Sequence, residues 1–588
     1  MKITLKRLAL GIASAGLLTI YGCGGGNSSA TPTTTSGVTT TFSGVAATGK
    51  ALANATVSIS CAVGSGSAPP TKTDGSYSVD IKNITLPCAL KAASSDGTTV
   101  LYSVTSATAT SKNTQVANIT PLTQLLVASL TGSEPAAFFS NFSASTASSV
   151  TDSAISTAQT AVLGTLSNAG IDVSGLSTTS LVSGPLVAGS PTSTYDVALE
   201  ALGTKLTSLA STGTTLATLT TTVANTSTTT ASTATATATA PTPAATSGKA
   251  SLPADMLLKT AASNCSAMRS GSYRVFSPTS SPTTNYSSLI SIDATTGTIT
   301  YANASKETVT PNGPCRYLGA NGKDDIVVSP AGVIVARSTN DGGLSYQLGI
   351  GFPQQTHTLA EAVGSWNAIG LSGNGAGVFS GAAFSATIDA AGAVTGSSCG
   401  YLGDWNVTSC TPVTAGKLVL KANSDGGFDL MVNGTLGGRM FAYRAGGGEL
   451  MTVEVDNDGS FSVFTKQRTD GLPTVGAVTT SWNLSLGSQL TSTVVVDANS
   501  NTIVSVDTAA GSWLRKQNTV GLNDGHLETL LANNPRAGYS FRAAGTALAD
   551  NGTTASFREV TSLGLRGMGL NAALVPTAKR FQISVNQP

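Results

Sequence analysis

Charge is what this chain of 588 residues has least of. Asp, Glu, Lys and Arg make up 10% of it, and 31 basic residues face 30 acidic ones. No basic patch or basic helix stands out, which removes the electrostatic footprint of a nucleic-acid binder. There are 2 histidines, His357 and His526, too few and too isolated for a metal site or a proton relay. Both lie in polar or mixed sequence and are expected on surface loops. None of the 7 cysteines falls in a CxxC or a Cys/His cluster, so neither zinc nor any other cofactor is expected. Aromatics are 5%, while Gly, Ser, Thr and Ala dominate. Low charge argues against a charged disordered chain, and 40% apolar residues suffice for real cores. The length allows several domains.

The N-terminus has three zones: Lys2, Lys6 and Arg7, then an apolar run over residues 8–20, then Gly22-Cys23. The run is too short to cross a bilayer, and the whole has the build of a secretory signal. Ile20-Tyr21-Gly22-Cys23 resembles a lipobox, with the Gly24-Gly25-Gly26 tether behind it. The resemblance implies that residues 1–22 are removed and that Cys23 is diacylated and then acylated on its new amine. Each buried methylene contributes about 0.8 kcal/mol, so two or three chains on one cysteine hold a protein on a membrane without measurable release. Gly24 in place of Asp is similar to the outer-membrane sorting preference of Gram-negative lipoproteins. Six cysteines remain for an oxidising compartment, and their spacing suggests Cys61 with Cys88, Cys265 with Cys315, and Cys399 with Cys410.

Residues 23–41 are Ser, Thr, Gly and Pro, a tether with almost nothing to bury. Residues 42–116 carry strand patterning: Val57, Ile59 and Cys61 alternate with polar neighbours, and a turn at Thr73-Asp74-Gly75 precedes Tyr77, Val79 and Ile81. The run from Gly44 through Gly49-Lys50-Ala51-Leu52-Ala53-Asn54-Ala55-Thr56-Val57, followed by Thr73-Asp74-Gly75-Ser76-Tyr77, resembles the carboxypeptidase regulatory-like β-sandwich. Ala51 replaces the usual Pro and Asn54 the usual Gly. That resemblance implies a non-catalytic module and transfers no active site. Residues 117–224 are helical in pattern. Thr120 suits an N-cap, Pro121 the first turn and Gly132 the C-terminal cap, while Leu199, Leu202, Leu206 and Leu209 keep helical spacing. Residues 225–253 are a Thr/Ala/Pro linker.

Residues 254–588 are β-rich. Turn signals recur at Asp341-Gly342, Asp425-Gly426 and Asp458-Gly459. An internal repeat runs through them: Ser272-Tyr273 leads to Asp293, Ser365-Trp366 to Asp389, and Ser481-Trp482 to Asp497. The expected fold is mainly β with a helical segment: an N-terminal sandwich, a small helical bundle, then antiparallel barrels or sandwiches in a row, or one larger closed assembly.

Chemistry is scarce. Gly396-Ser397-Ser398-Cys399-Gly400 satisfies G-x-S-x-G, but no βαβ alternation surrounds it and Cys399 suits a disulfide better. Asp456-Asn457-Asp458-Gly459 starts like a calcium loop, yet Gln467 stands where the bidentate Glu belongs, and the flanks suit a hairpin. Gly364-Ser365-Trp366 resembles the G-x-W opening strand of lipocalins, whose Trp closes one barrel end. As a whole the chain resembles Gram-negative surface lipoproteins. The expectation is a non-enzymatic, outer-membrane lipid-anchored protein with a binding or adhesive role toward an external glycan, protein or envelope polymer. Two alternatives stay open. One is an extracellular polymer hydrolase using carboxylates such as Asp293, Asp389, Asp404 or Glu454. The other is a lipocalin-like carrier, which would show a deep apolar cavity in a C-terminal barrel.

Overall fold

The computed structural model describes residues 38–107, 113–227, 250–278, 285–339, 347–373, 379–400, 411–487, 496–518, 525–543, 547–548, 554–555, 560–575 and 580–588. Cys23, Cys410, Asp404 and the Asp341-Gly342 turn lie outside the described residues.

At the front, Thr39–Val45 is flanked by Ser76–Lys82 and Thr114–Val116, and a second sheet orders Ser65–Ala68, Thr56–Val63, Thr85–Ala93 and Val100–Val104. The two-residue period places Val57, Ile59 and Cys61 inside. Cys61 faces Cys88 in register, and the two are bonded at 2.03 Å. Gly75 closes the hairpin turn at φ 79°, where a Cβ would fall 2.5 Å from the Ala46 carbonyl oxygen. Glycine alone fits there.

The helix Pro121–Thr131 has both signals that its sequence carries. Thr120 accepts from the Thr123 N–H, and Gly132 ends the helix in the left-handed region at φ 60°. Asp152–Asn168, Thr194–Leu209 and Leu216–Thr226 follow. Sandwich and helices share one apolar core, which also takes in Ala254 and Leu258 from the start of the tail.

The tail is three successive antiparallel meanders. The first is a nine-stranded sheet in which Gly271–Phe276 pairs with both Ser288–Asp293 and Gln347–Pro353, leaving a gap between Lys306–Thr308 and Thr310–Pro311. Cys265 and Cys315 are bonded at its margin. The other two are closed eight-stranded barrels. Tyr273, Trp366 and Trp482 each stand in an opening strand that pairs with the second and last strands of its own meander. The repeat's acidic member needs one correction. Asp293 and Asp389 accept backbone N–H groups in the turn after the second strand, and the residue that does so in the third unit is Asp507. Asp497 instead sits near the start of its strand, opposite Asn483. Short polar acceptors at turns recur because they satisfy N–H groups that no strand reaches.

The meanders bury their apolar outer faces against one another in one core. Phe276 lies 5.8 Å from Phe441, Phe352 5.4 Å from Tyr443, and Phe461 6.2 Å from Phe581, ring centre to ring centre. At the join with the front half, the Gly446 N–H donates to the Ser251 carbonyl at 2.8 Å. Gly448 lies so close to the Asn225 carbonyl that a Cβ would stand 2.2 Å from its oxygen. The two described flanks of the Thr/Ala-rich run therefore lie side by side.

Candidate functional site

The first closed barrel is built from β1 (Gly364–Gly373), β2 (Phe379–Ile388), β3 (Ala393–Gly400), β4 (Thr411–Ala422), β5 (Phe428–Val432), β6 (Thr435–Arg444), β7 (Leu450–Asp456) and β8 (Phe461–Lys466). Every neighbouring pair is antiparallel, and β1 pairs with β8 to close the ring. An eight-stranded barrel is just wide enough for side chains to fill it or for one small ligand. Here the inward face leaves a cavity of about 580 Å³, within the usual range for small-molecule sites. Its walls are mostly apolar, with Phe384, Ile388, Leu420, Leu430, Met440 and Phe464 among them.

One end has a floor. The short helix α1 (Leu359–Ala362) precedes β1, and the Trp366 Nε1–H donates to the Ala362 carbonyl at 2.7 Å. Lys466 Nζ lies 4.1 Å from the centre of the Trp366 ring and donates to the Ala362 and Val363 carbonyls. Burial, with Arg444 adding repulsion, lowers the Lys466 pKa to about 8, while Glu361 opposes the shift. Beneath, Glu361 pairs with Arg444 at 3.0 Å and His357 at 3.2 Å. Burial works against the Glu361 carboxylate, yet these partners and the Thr358 N–H hold it well below the ordinary range. His357 is 7% exposed and sits between Glu361 and Gln355, not on a surface loop as its polar sequence context suggested.

The other end is acidic. Glu454 and Asp456 project from β7 into the cavity, with Asp458 in the turn beyond them. Glu454 is level with Ser462 and Gly370, four residues along β1 from Trp366, or about 13 Å at about 3.3 Å per residue. Glu454 keeps some surface open to the lumen while lying away from bulk water. Burial, then Asp456 and Asp458, pushes its carboxyl well above the usual range. Burial and Asp458 raise Asp456 to about 7. Asp456 Oδ1 is buried and has no hydrogen-bond partner among the described residues, and the same holds for the Thr452 hydroxyl on this face of β7.

These shifts have a signed consequence. A carboxyl with a higher pKa folded than unfolded stabilises the fold fully below about pH 4, and that stability is lost as pH rises through about 7. Asp456→Asn should therefore raise the Tm of the ligand-free protein above about pH 7 and change it little near pH 4. A Tm difference that stayed constant across that range would exclude this account.

No protein-family model matches this chain. Nor does any curated protein. Among solved structures, transferrin binding protein B from Haemophilus parasuis Hp5, a double mutant, is 10% identical, with 58% of this chain and 78% of that chain covered at a TM-score of 0.19. The isotype 1 form from serogroup B Neisseria meningitidis is 11% identical, covering 51% of this chain and 65% of that one, TM-score 0.17. A DUF3598-family protein from Nostoc punctiforme is 10% identical, covering 39% and 97%, TM-score 0.13. Superpositions this loose carry no argument about the chain.

The residues proposed from sequence are largely scattered. The G-x-S-x-G string lies within β3, a barrel strand and not a strand-to-helix elbow. Asp293 and Asp389 accept backbone N–H groups in hairpin turns and are not among the residues that line the cavity. Glu454 and Asp456 are two residues apart on the same face of one strand, about 6.6 Å along it, and both line the cavity. The calcium-like string is the β7–β8 turn. Its Asn457 donates to the Leu436 carbonyl and accepts from the Tyr286 hydroxyl, and Asp458 accepts from the Ser460 N–H.

The second barrel is lined differently. Its apolar strand faces pack outward, and its inward face carries Glu528, 1% exposed, between Arg515 at 2.7 Å and Arg542. Burial opposes the charge of Glu528, and the two guanidiniums lower its pKa nonetheless. Glu528 is thus ion-paired within its own barrel, whereas Glu454 has no ion pair among the described residues.

Proposed function

We propose that this chain is a lipid-anchored outer-membrane lipoprotein with a non-catalytic binding role, whose first closed barrel carries a small, largely apolar ligand. Residues 1–22 are then the signal, Cys23 the lipidated residue and 23–41 the tether. Residues 42–116 form a carboxypeptidase regulatory-like module, 117–224 the helical segment, 225–253 a linker, and 254–588 the binding region. The single observation that carries the reading is the unfilled apolar lumen of a closed eight-stranded barrel with a tryptophan floor. Burying the apolar body of a ligand there gains about 25 cal/mol per Å² removed from water. An external glycan, protein or envelope polymer remains the partner class for the outer surface.

The test is titration with a neutral environment-sensitive dye such as phenylnaphthylamine. Saturable fluorescence enhancement is expected with the wild-type protein. Ala386→Trp, which places an indole in the lumen, should weaken it by at least about tenfold, a loss of about 1.4 kcal/mol. Equal enhancement in both proteins would place the dye elsewhere and end the lumen reading.

A further inference from the structure

Among the described residues, the acidic end of the first barrel has no counter-charge of its own. On the inward face, the residues level with Glu454 on its neighbouring strands are Met440 and Ser462, and Gly438 stands beside Asp456. None is charged. Arg439, adjacent in register, projects from the opposite face, where it pairs with Asp425 at 2.8 Å and Asp429 at 3.0 Å. Lys466 lies at the far end of the lumen, covering Trp366 and donating to two carbonyls. Asp456 Oδ1 is buried in this region without a partner. Buried carboxylates without partners are costly unless something else completes them.

We infer that the ligand of this barrel is an amphiphilic cation: an apolar body along the shaft above Trp366, and an ammonium head group between Glu454 and Asp456. The inference rests on the lumen being the binding site. The dimensions fit it, since about 13 Å of apolar wall separates the floor from Glu454, close to the length of a ten-carbon chain. The raised affinity of both carboxyls for protons has the same origin as the proposed affinity for a cation. Each is buried beside another acid, and a positive charge relieves both conditions. A carboxylate head group would add a further acid to the three already at this end.

Competition against the neutral dye tests this, using three ten-carbon ligands: decyltrimethylammonium, decanol and decanoate. Decyltrimethylammonium should displace the dye at a concentration at least about tenfold below that needed for decanol, with decanoate weakest. The double variant Glu454→Gln/Asp456→Asn should lose at least about tenfold in affinity for decyltrimethylammonium and with it the preference over decanol, and an unchanged circular dichroism spectrum shows that the variant is folded. Decanol or decanoate binding as tightly as the cation would overturn the inference and leave the lumen reading standing. So would a cation preference that survives in the double variant. If none of the three displaces the dye, the lumen reading and this inference fail together.

Discussion

Trp366→Ala should destabilise the first barrel by about 3–5 kcal/mol, the range for deleting a large buried aromatic. Three losses coincide. The indole is 1% exposed, so its removal leaves a cavity that strand pairing on both sides prevents from collapsing. The Ala362 carbonyl loses its shortest donor, at 2.7 Å, and keeps only Lys466. Lys466 in turn loses the ring that covers it at 4.1 Å, a contact worth up to about 2 kcal/mol where water is excluded. Urea unfolding followed by hydrogen exchange in Gly364–Gly373 and Phe461–Lys466 would measure the change. Trp366→Phe should recover most of the packing but not the hydrogen bond. A shift in the unfolding free energy below about 1 kcal/mol would mean that Trp366 does not hold the floor.

Cys23→Ser should move the protein wholly from the membrane fraction to the soluble or uncleaved pool. With no thiol there is no site for acyl chains, and the anchoring free energy of two or three chains, at about 0.8 kcal/mol per methylene, is lost at once. Palmitate labelling and detergent phase partition would follow it. Wild type should label and partition with detergent, and the variant should do neither. Labelling that persists in Cys23→Ser would rule out the lipobox reading. No helix among the described residues is long and apolar enough to cross a membrane, so an unlabelled protein that still sediments with membranes would call for another attachment.

Local signals were legible in the sequence. Thr120 and Gly132 bracket their helix because capping depends on residues a few positions apart. The alternation at Val57, Ile59 and Cys61, the Asp458-Gly459 turn and the aromatic opening strands have the same short range. Closure of the barrel does not. It depends on Trp366 pairing with Lys466, one hundred residues away, and no local pattern encodes that. The acidic site was hidden for a more particular reason. In β7 the sequence alternates Met451, Val453 and Val455 with Thr452, Glu454 and Asp456, and the natural inference sends the apolar set inward. Here the apolar set turns outward, because the neighbouring meanders supply the core it needs, and the polar set faces the lumen. Binary patterning identifies two faces but not which one is enclosed. His357 escaped for a similar reason: its polar sequence neighbours Gln355 and Glu361 are the half-buried partners that hold it inside.

The meeting of Asn225 and Ser251 at Gly448 and Gly446 changes what the Thr/Ala-rich run between them controls. A segment whose ends are pinned at one place is topologically a loop. Its contour length does not set how far one half of the molecule stands from the other. Doubling such a loop would cost only about 0.6 kcal/mol in closure entropy. Variation in that run is therefore nearly neutral for the fold. On the lipid-anchor proposal, the reach of the barrels from the membrane would then not depend on the length of that run.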